Sequence, residues 1–109
     1  PPQDRGGEKR VRRGQLDIAA SIDLHGYTQE RAQAALTLFL RRQHAAHARA
    51  VIVVTGKGRG GEEGVLKRRL PHWLDAPDVR ALIAGYAQAH RNHGGAGAYY
   101  VFLKRLRED

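Results

Sequence analysis

The sequence predicts an α/β fold, a two-layer sandwich assembled in the order β-α-β-α-β-β. Three observations carry that expectation. Apolar residues recur at helical spacing in two stripes, Ala32, Leu36, Phe39 and Leu40, then Leu66, Leu70, Trp73 and Leu74. A run of β-branched residues, AVIVVT at residues 50–55, suits a strand buried on both faces. Glycine-rich stretches near residues 56–64 and 94–97 punctuate the chain between the periodic segments.

Each element follows in turn. Residues 1–15, PPQDRGGEKRVRRGQ, carry net positive charge and little to bury, so they are expected to form a flexible basic tail, with residues 16–109 as the folded domain. ASIDLHG reads as a first strand that exits at Gly26. Thr28 is placed to cap a helix, with Gln29 and Glu30 in its first turn, where negative charge suits the helix dipole. That helix is expected to run to about Ala48. Residues 50–55 make the second strand and the glycine turn follows. Pro71 lies inside the second helix and should kink or split it, because proline removes a backbone donor. Residues 75–78, with Pro77, read as a loop, residues 79–87 as a third strand, 90–97 as a loop and 98–105 as a fourth strand. No internal repeat is present.

Strand–helix–strand connections favour parallel directions, so the first three strands should point the same way. Their C-terminal ends then share one sheet edge, where Asp23 and His25, residues 55–61 and residues 90–97 would meet. Open α/β sheets bind ligands at such edges.

Composition narrows the partner. The chain has 109 residues, enough for one domain, and 19 Lys and Arg against 11 Asp and Glu give a formal charge of +8. A polyanion fits that excess. The aliphatic run at residues 51–54 is far shorter than the ~20 residues of a membrane-spanning helix. With no cysteine there is no disulfide framework, which fits a cytoplasmic setting. With no methionine, the chain is expected to be a piece of a longer protein.

The turn VIVVTGKGRGGEEG has several readings. Gly56, Gly58 and Gly61 match the spacing of a dinucleotide-binding fingerprint, but the acidic residue wanted at the end of the next strand is missing. A phosphate-binding P-loop would need a lysine where Glu62 stands. A tight turn alone explains the glycines but not Lys57 and Arg59 between them. Glycine allows close backbone approach and free N–H groups ahead of a helix attract anions, so a phosphate is the expected ligand. No cofactor is called for.

Asp23 and His25, two apart on a strand, should share a face while Ile22 and Leu24 take the other. Together they suit acid–base chemistry, the carboxylate raising the histidine pKa. The plainer reading, which the pair taken alone favours, has Asp23 accepting hydrogen bonds from neighbouring loop amides while His25 packs. His44 and His47 lie among arginines and make a poor metal site; they and His72 read as surface. His90 and His93 draw interest from the placement of their loop. No metal-binding set is expected.

These segments together resemble a known family. IDLHGYT before an amphipathic helix, then VIVVTGKGRGG, then a closing YYVFLKR strand, are similar to the Smr (small MutS-related) domain across about residues 16–106. The Asp-Leu-His-Gly signature falls at residues 23–26. The second family motif, His-Gly-x-Gly, falls at residues 55–58, with Thr55 in the usual histidine position. The resemblance implies a fold similar to the C-terminal domain of translation initiation factor 3, a mixed four-stranded sheet whose last strand is antiparallel. It implies nucleic-acid binding and, as in several members, endonuclease activity on DNA or RNA, in some cases at ribosomes; the reading adopted favours RNA over DNA. It assigns acid–base roles to Asp23 and His25, and the placement of the loop at residues 90–97 offers His93 or His90 as a second group. The backbone-binding turn would comprise Thr55, Gly56, Lys57, Gly58, Arg59 and Gly60.

Two alternatives stand beside this reading. A docking module without chemistry, for RNA or a ribosome, is favoured by Thr55 in place of histidine. A metal-dependent DNA-nicking enzyme is disfavoured because Asp23 is the one carboxylate placed at the edge.

Overall fold

The computed structural model describes residues 17–57, 61–91 and 95–106, with residues 61–63 described by backbone alone. The tail expected at residues 1–15 lies outside the described residues. In chain order the elements are β1 (Ala20–Asp23), α1 (Gln29–Ala45), β2 (Ala50–Val54), α2 (Gly61–Leu74), a short α3 (Pro77–Arg80), β3 (Ile83–Gln88), a 3-10 turn (Gly95–Gly97) and β4 (Ala98–Leu103).

The four strands form one sheet in the order β1-β2-β4-β3. β1 and β2 are parallel, with Asp23 opposite Val54. β4 runs antiparallel to both of its neighbours, β2 and β3. The first three strands therefore share one direction, as the connections require, and the last reverses it. The sheet is mixed.

Burial explains the layers. Val51 and Val53 of β2 and Val101 and Leu103 of β4 join Leu36 and Leu40 of α1 and Leu66 and Leu70 of α2 in one core cluster. Ile52 and Tyr100, on the opposite sheet face, build a second cluster with Ala89, Ala98 and the partly buried Ile18, Val54 and Phe102. Among the described residues, none of α1 or α2 belongs to it. Both long helices thus cover the same face of the sheet.

Local chemistry sets the boundaries. α1 starts where the Thr28 hydroxyl accepts the Arg31 N–H, filling one of the unpaired donors of the first turn. It stops at Ala45, earlier than the expected Ala48. His47 adopts φ 68°, its N–H donates to the His44 carbonyl, and the Ala48 N–H donates to the Gln43 carbonyl. That left-handed closure satisfies the last carbonyls and ends the helix.

The expected split at Pro71 does not occur. α2 runs unbroken from Gly61 to Leu74 with Pro71 inside it. Leu70, Trp73 and Leu74 around it are 0%, 4% and 0% exposed, and the helical last turn is what buries them. One missing donor near the helix end is the smaller term, since Leu- or Trp-sized burial contributes ~2–3 kcal/mol per side chain. The loop expected at residues 75–78 is also corrected. Pro77 opens α3, at a first-turn position where the missing N–H has no intrahelical partner to lose. Val79, expected on a strand, is buried on that helix instead, and β3 begins only at Ile83.

Candidate nucleic-acid interface

The end of β1 builds the first half of the site. Leu24 is fully buried, and its N–H donates to the Val54 carbonyl at 2.8 Å, holding the chain to β2 one residue past the strand. With Leu24 turned into the core, Asp23 and His25 on either side face outward. Asp23 Oδ1 accepts both the His25 ring Nδ1–H at 2.7 Å and the His25 backbone N–H at 3.1 Å. Gly26, at φ 87°, then lets the chain turn, and the Tyr27 N–H donates back to the Leu24 carbonyl at 3.0 Å. The Arg31 guanidinium lies 4.8 Å above the Tyr27 ring, fixing the start of α1 beside the pair.

Partial burial works against ionisation of Asp23. The ring and backbone hydrogen bonds from His25, with the charge attraction of the imidazole, outweigh it and hold the carboxyl below its ordinary value. An ionised carboxylate only accepts hydrogen bonds, so the proton in this contact sits on His25 Nδ1. The lone pair of the neutral ring is then on Nε2. The side chains are 61% (His25) and 55% (Asp23) exposed, within reach of a ligand.

β2 supplies the second half. The Thr55 and Gly56 N–H groups both donate to the Gly97 carbonyl, at 2.9 and 3.1 Å. The Thr55 side chain is fully buried and its hydroxyl donates to the Gly56 carbonyl at 3.0 Å, which shapes the turn from inside. Gly56 takes φ 89°, and exposed Lys57 follows. Across the edge, the His90 N–H donates to the Tyr100 hydroxyl oxygen at 2.9 Å, and exposed Arg91 follows.

The edge therefore brings together Asp23, His25, Thr55, Gly56 and Lys57. Gly58, Arg59, Gly60 and His93 lie outside the described residues. Sequence reasoning missed Gly97, Tyr100 and Arg91. The glycine-rich GGAG at residues 94–97 hinted at a close approach, and nothing said to what. Among the described residues no group of three His, Cys, Asp or Glu is gathered to hold a metal ion. No helix among them is long and apolar enough to cross a membrane.

The Smr domain profile matches residues 22–104. The ribosome rescue factor SmrB of Tolumonas auensis is 34% identical over 98 residues, 89% of this chain and 52% of the relative. SmrB of Pasteurella multocida is 35% identical over 97 residues, 88% of this chain and 53% of the relative. The chain thus spans about half the length of the curated relatives it matches. Among solved structures, YdaL, a stand-alone small MutS-related protein from Escherichia coli, superposes with a TM-score of 0.75 at 27% identity, covering 93% of this chain and 76% of that one. The Smr domain of Thermus thermophilus MutS2 gives 0.68 at 23% identity, covering 79% and 99%, a likeness of fold.

Proposed function

Because the chain belongs to the Smr domain family, we propose that it binds nucleic acid and cuts it as an endonuclease, with RNA favoured over DNA. The observation that carries this reading is the 2.7 Å Asp23–His25 contact on the strand adjacent to the Lys57 turn. A proton-transfer group and a phosphate-binding group then face one substrate.

RNA brings its own nucleophile. His25 Nε2 takes the proton of a 2′-hydroxyl, the 2′-oxygen bonds to phosphorus, and the bond from phosphorus to the 5′-oxygen breaks. The leaving oxygen needs a proton, for which His93 is the candidate from sequence and His90 the alternative. The products are a 2′,3′-cyclic phosphate and a 5′-hydroxyl. An imidazole suits either proton role because its unperturbed pKa of ~6.5 is close to working pH. Lys57 holds the backbone, with Arg59, Gly58 and Gly60 continuing the grip, while the Thr55 and Gly56 amides are already taken by the Gly97 carbonyl. Thr55 contributes as the turn's buried anchor. The curated relatives are named ribosome rescue factors, which extends the proposed partners to a ribosome in the cytoplasm. The fold likeness to the C-terminal domain of translation initiation factor 3 belongs to the same reading.

A second reading has its own support. Thr55 stands where the family usually has histidine and is shut in the core, which suits a docking module that binds without cutting. Incubation with single-stranded RNA, structured RNA and duplex DNA, with and without EDTA, separates the two. Cleavage of RNA that survives EDTA and leaves a cyclic phosphate supports the nuclease. DNA nicking lost in EDTA overturns the metal-free route, and binding of all substrates without cutting leaves the docking module.

Binding itself should be salt-sensitive. If ~3–5 phosphates of a single strand are neutralised, the log–log salt slope is roughly −2 to −3.5. Lys57→Ala should flatten it by ~0.7, the share of one phosphate. A titration series from low to high salt reads this directly, and an unchanged slope would mean the turn does not hold phosphate.

A further inference from the structure

The edge continues past the Asp23–His25 pair and the glycine turn into a cleft of about 610 Å³ lined by Lys57, Gln88, Ala89, Arg91, Gly95 and Ala96. Its size falls within the ~300–1,000 Å³ typical of small-ligand sites. Its composition is directional. Lys57 enters from the loop after β2 and Arg91 from the loop after β3, so two cations from separate segments line one space. Among the described residues no acidic side chain lines it. Gly95, Ala96 and buried Ala89 leave its walls short, and the exposed Gln88 amide offers both a donor and an acceptor.

Both cations stand on moored backbone. Lys57 is one residue past Gly56, which is held by the Gly97 carbonyl. Arg91 is one residue past His90, which is held by the Tyr100 hydroxyl. Gly97 and Tyr100 belong to the same turn-and-strand segment, so β4 positions the two charges relative to each other. A ligand entering between them meets a site already arranged, with less ordering left to oppose binding.

The geometry points to a second nucleotide subsite in this cleft, taking a backbone phosphate between Lys57 and Arg91 with the attached base beside Gln88. This subsite rests on the nucleic-acid reading above and adds a length requirement to it. The sheet order puts β1 and β3 at opposite margins, three strand spacings apart, or ~14 Å at ~4.8 Å per spacing. At the ~3.4 Å per nucleotide of a helically stacked strand, about four nucleotides reach from the cleft to His25, and fewer if the strand is extended. The chemical class of ligand is therefore a single-stranded oligonucleotide of up to about that length, lying across the strand ends from β1 to β3.

Fluorescence anisotropy with single-stranded RNAs of two, four, six and eight nucleotides tests it, using the whole chain and its Arg91→Ala and Arg91→Lys variants. Affinity of the parent should climb between two and six nucleotides and then level. Arg91→Ala should bind the octamer more weakly and lower the magnitude of its salt slope by ~0.7, one phosphate's share, while Arg91→Lys keeps the parent slope. Arg91 is exposed, so thermal melting should not change and serves as the folding control. An Arg91→Ala protein with the parent's affinity and slope overturns the subsite and leaves the Lys57 reading standing. A parent protein that binds no octamer at all overturns the nucleic-acid reading beneath it.

Discussion

His25→Ala should lower the rate of RNA cleavage by ~10²-fold or more, the scale of one lost general acid or base. RNA affinity should hold, because the grip on phosphate is assigned to Lys57 and its turn, on the next strand. Measuring cleavage and binding on the same protein separates the two roles. A variant that cuts like the parent removes His25 from the chemistry. Asp23→Asn should cost less, since an amide oxygen at position 23 can still accept the Nδ1–H and orient the ring. The pair also carries a pH signature. The folded-state Asp23 carboxyl titrates below its ordinary 3.8, so the contact stabilises the domain above that pH, and the contribution is lost as pH falls through the lowered value. Both groups are half exposed, so the effect on melting should be small. Asp23→Asn should melt closer to the parent at pH 3 than at pH 6.

Gly97→Ala should damage stability and binding together. A Cβ at position 97 would stand 3.0 Å from the Gly56 carbonyl carbon and 3.3 Å from both the Gly56 oxygen and the Lys57 nitrogen. All three are backbone atoms, so no rotamer change relieves the crowding. The turn must give by a few tenths of an ångström, which strains the two hydrogen bonds on the Gly97 carbonyl and shifts Lys57. Overpacking of this kind costs ~1–3 kcal/mol. Gly85→Ala supplies the contrast, since a Cβ there meets nothing within 4 Å. Denaturant unfolding and an RNA titration on both variants should show the Gly97 change losing stability and affinity while the Gly85 change keeps affinity. If Gly97→Ala matches the parent in both measurements, the carbonyl clamp does not organise the turn.

Local signals account for what was legible from residues alone. The Thr28 cap, the two apolar stripes and the β-branched run at residues 50–55 each report on neighbours within a few positions, and each landed on its element. The same is true of Asp23 and His25, whose spacing of two sets their common exposure around buried Leu24. Proline misled twice. At Pro71 the missing donor weighs less than the burial of Leu70, Trp73 and Leu74, whereas Pro77, expected in a loop, suits the first turn of α3. The unforeseen parts of the site are long-range. Gly97 matters because it has no side chain where Gly56 passes, and a missing atom carries no pattern. Arg91 gains its place from Tyr100 across the β3–β4 pairing, which no spacing along the chain encodes. Strand directions followed from the connections, but the insertion of β4 between β2 and β3 did not.

That insertion has a consequence in time. Among the described residues β3 pairs with β4 and β2 meets β3 through β4, so half of the sheet waits for a strand that follows both in the chain. Until residues 98–103 leave the ribosome, Gly97 cannot clamp the glycine turn and Tyr100 cannot hold the Arg91 segment. Long-range pairing of this sort closes late, and domains tend to fold as units during synthesis. A nascent chain displaying β1, α1 and β2 already has its Asp23 and His25, but it lacks the carbonyl clamp that orders the glycine turn beside them. The assembled edge arrives in one step, with β4.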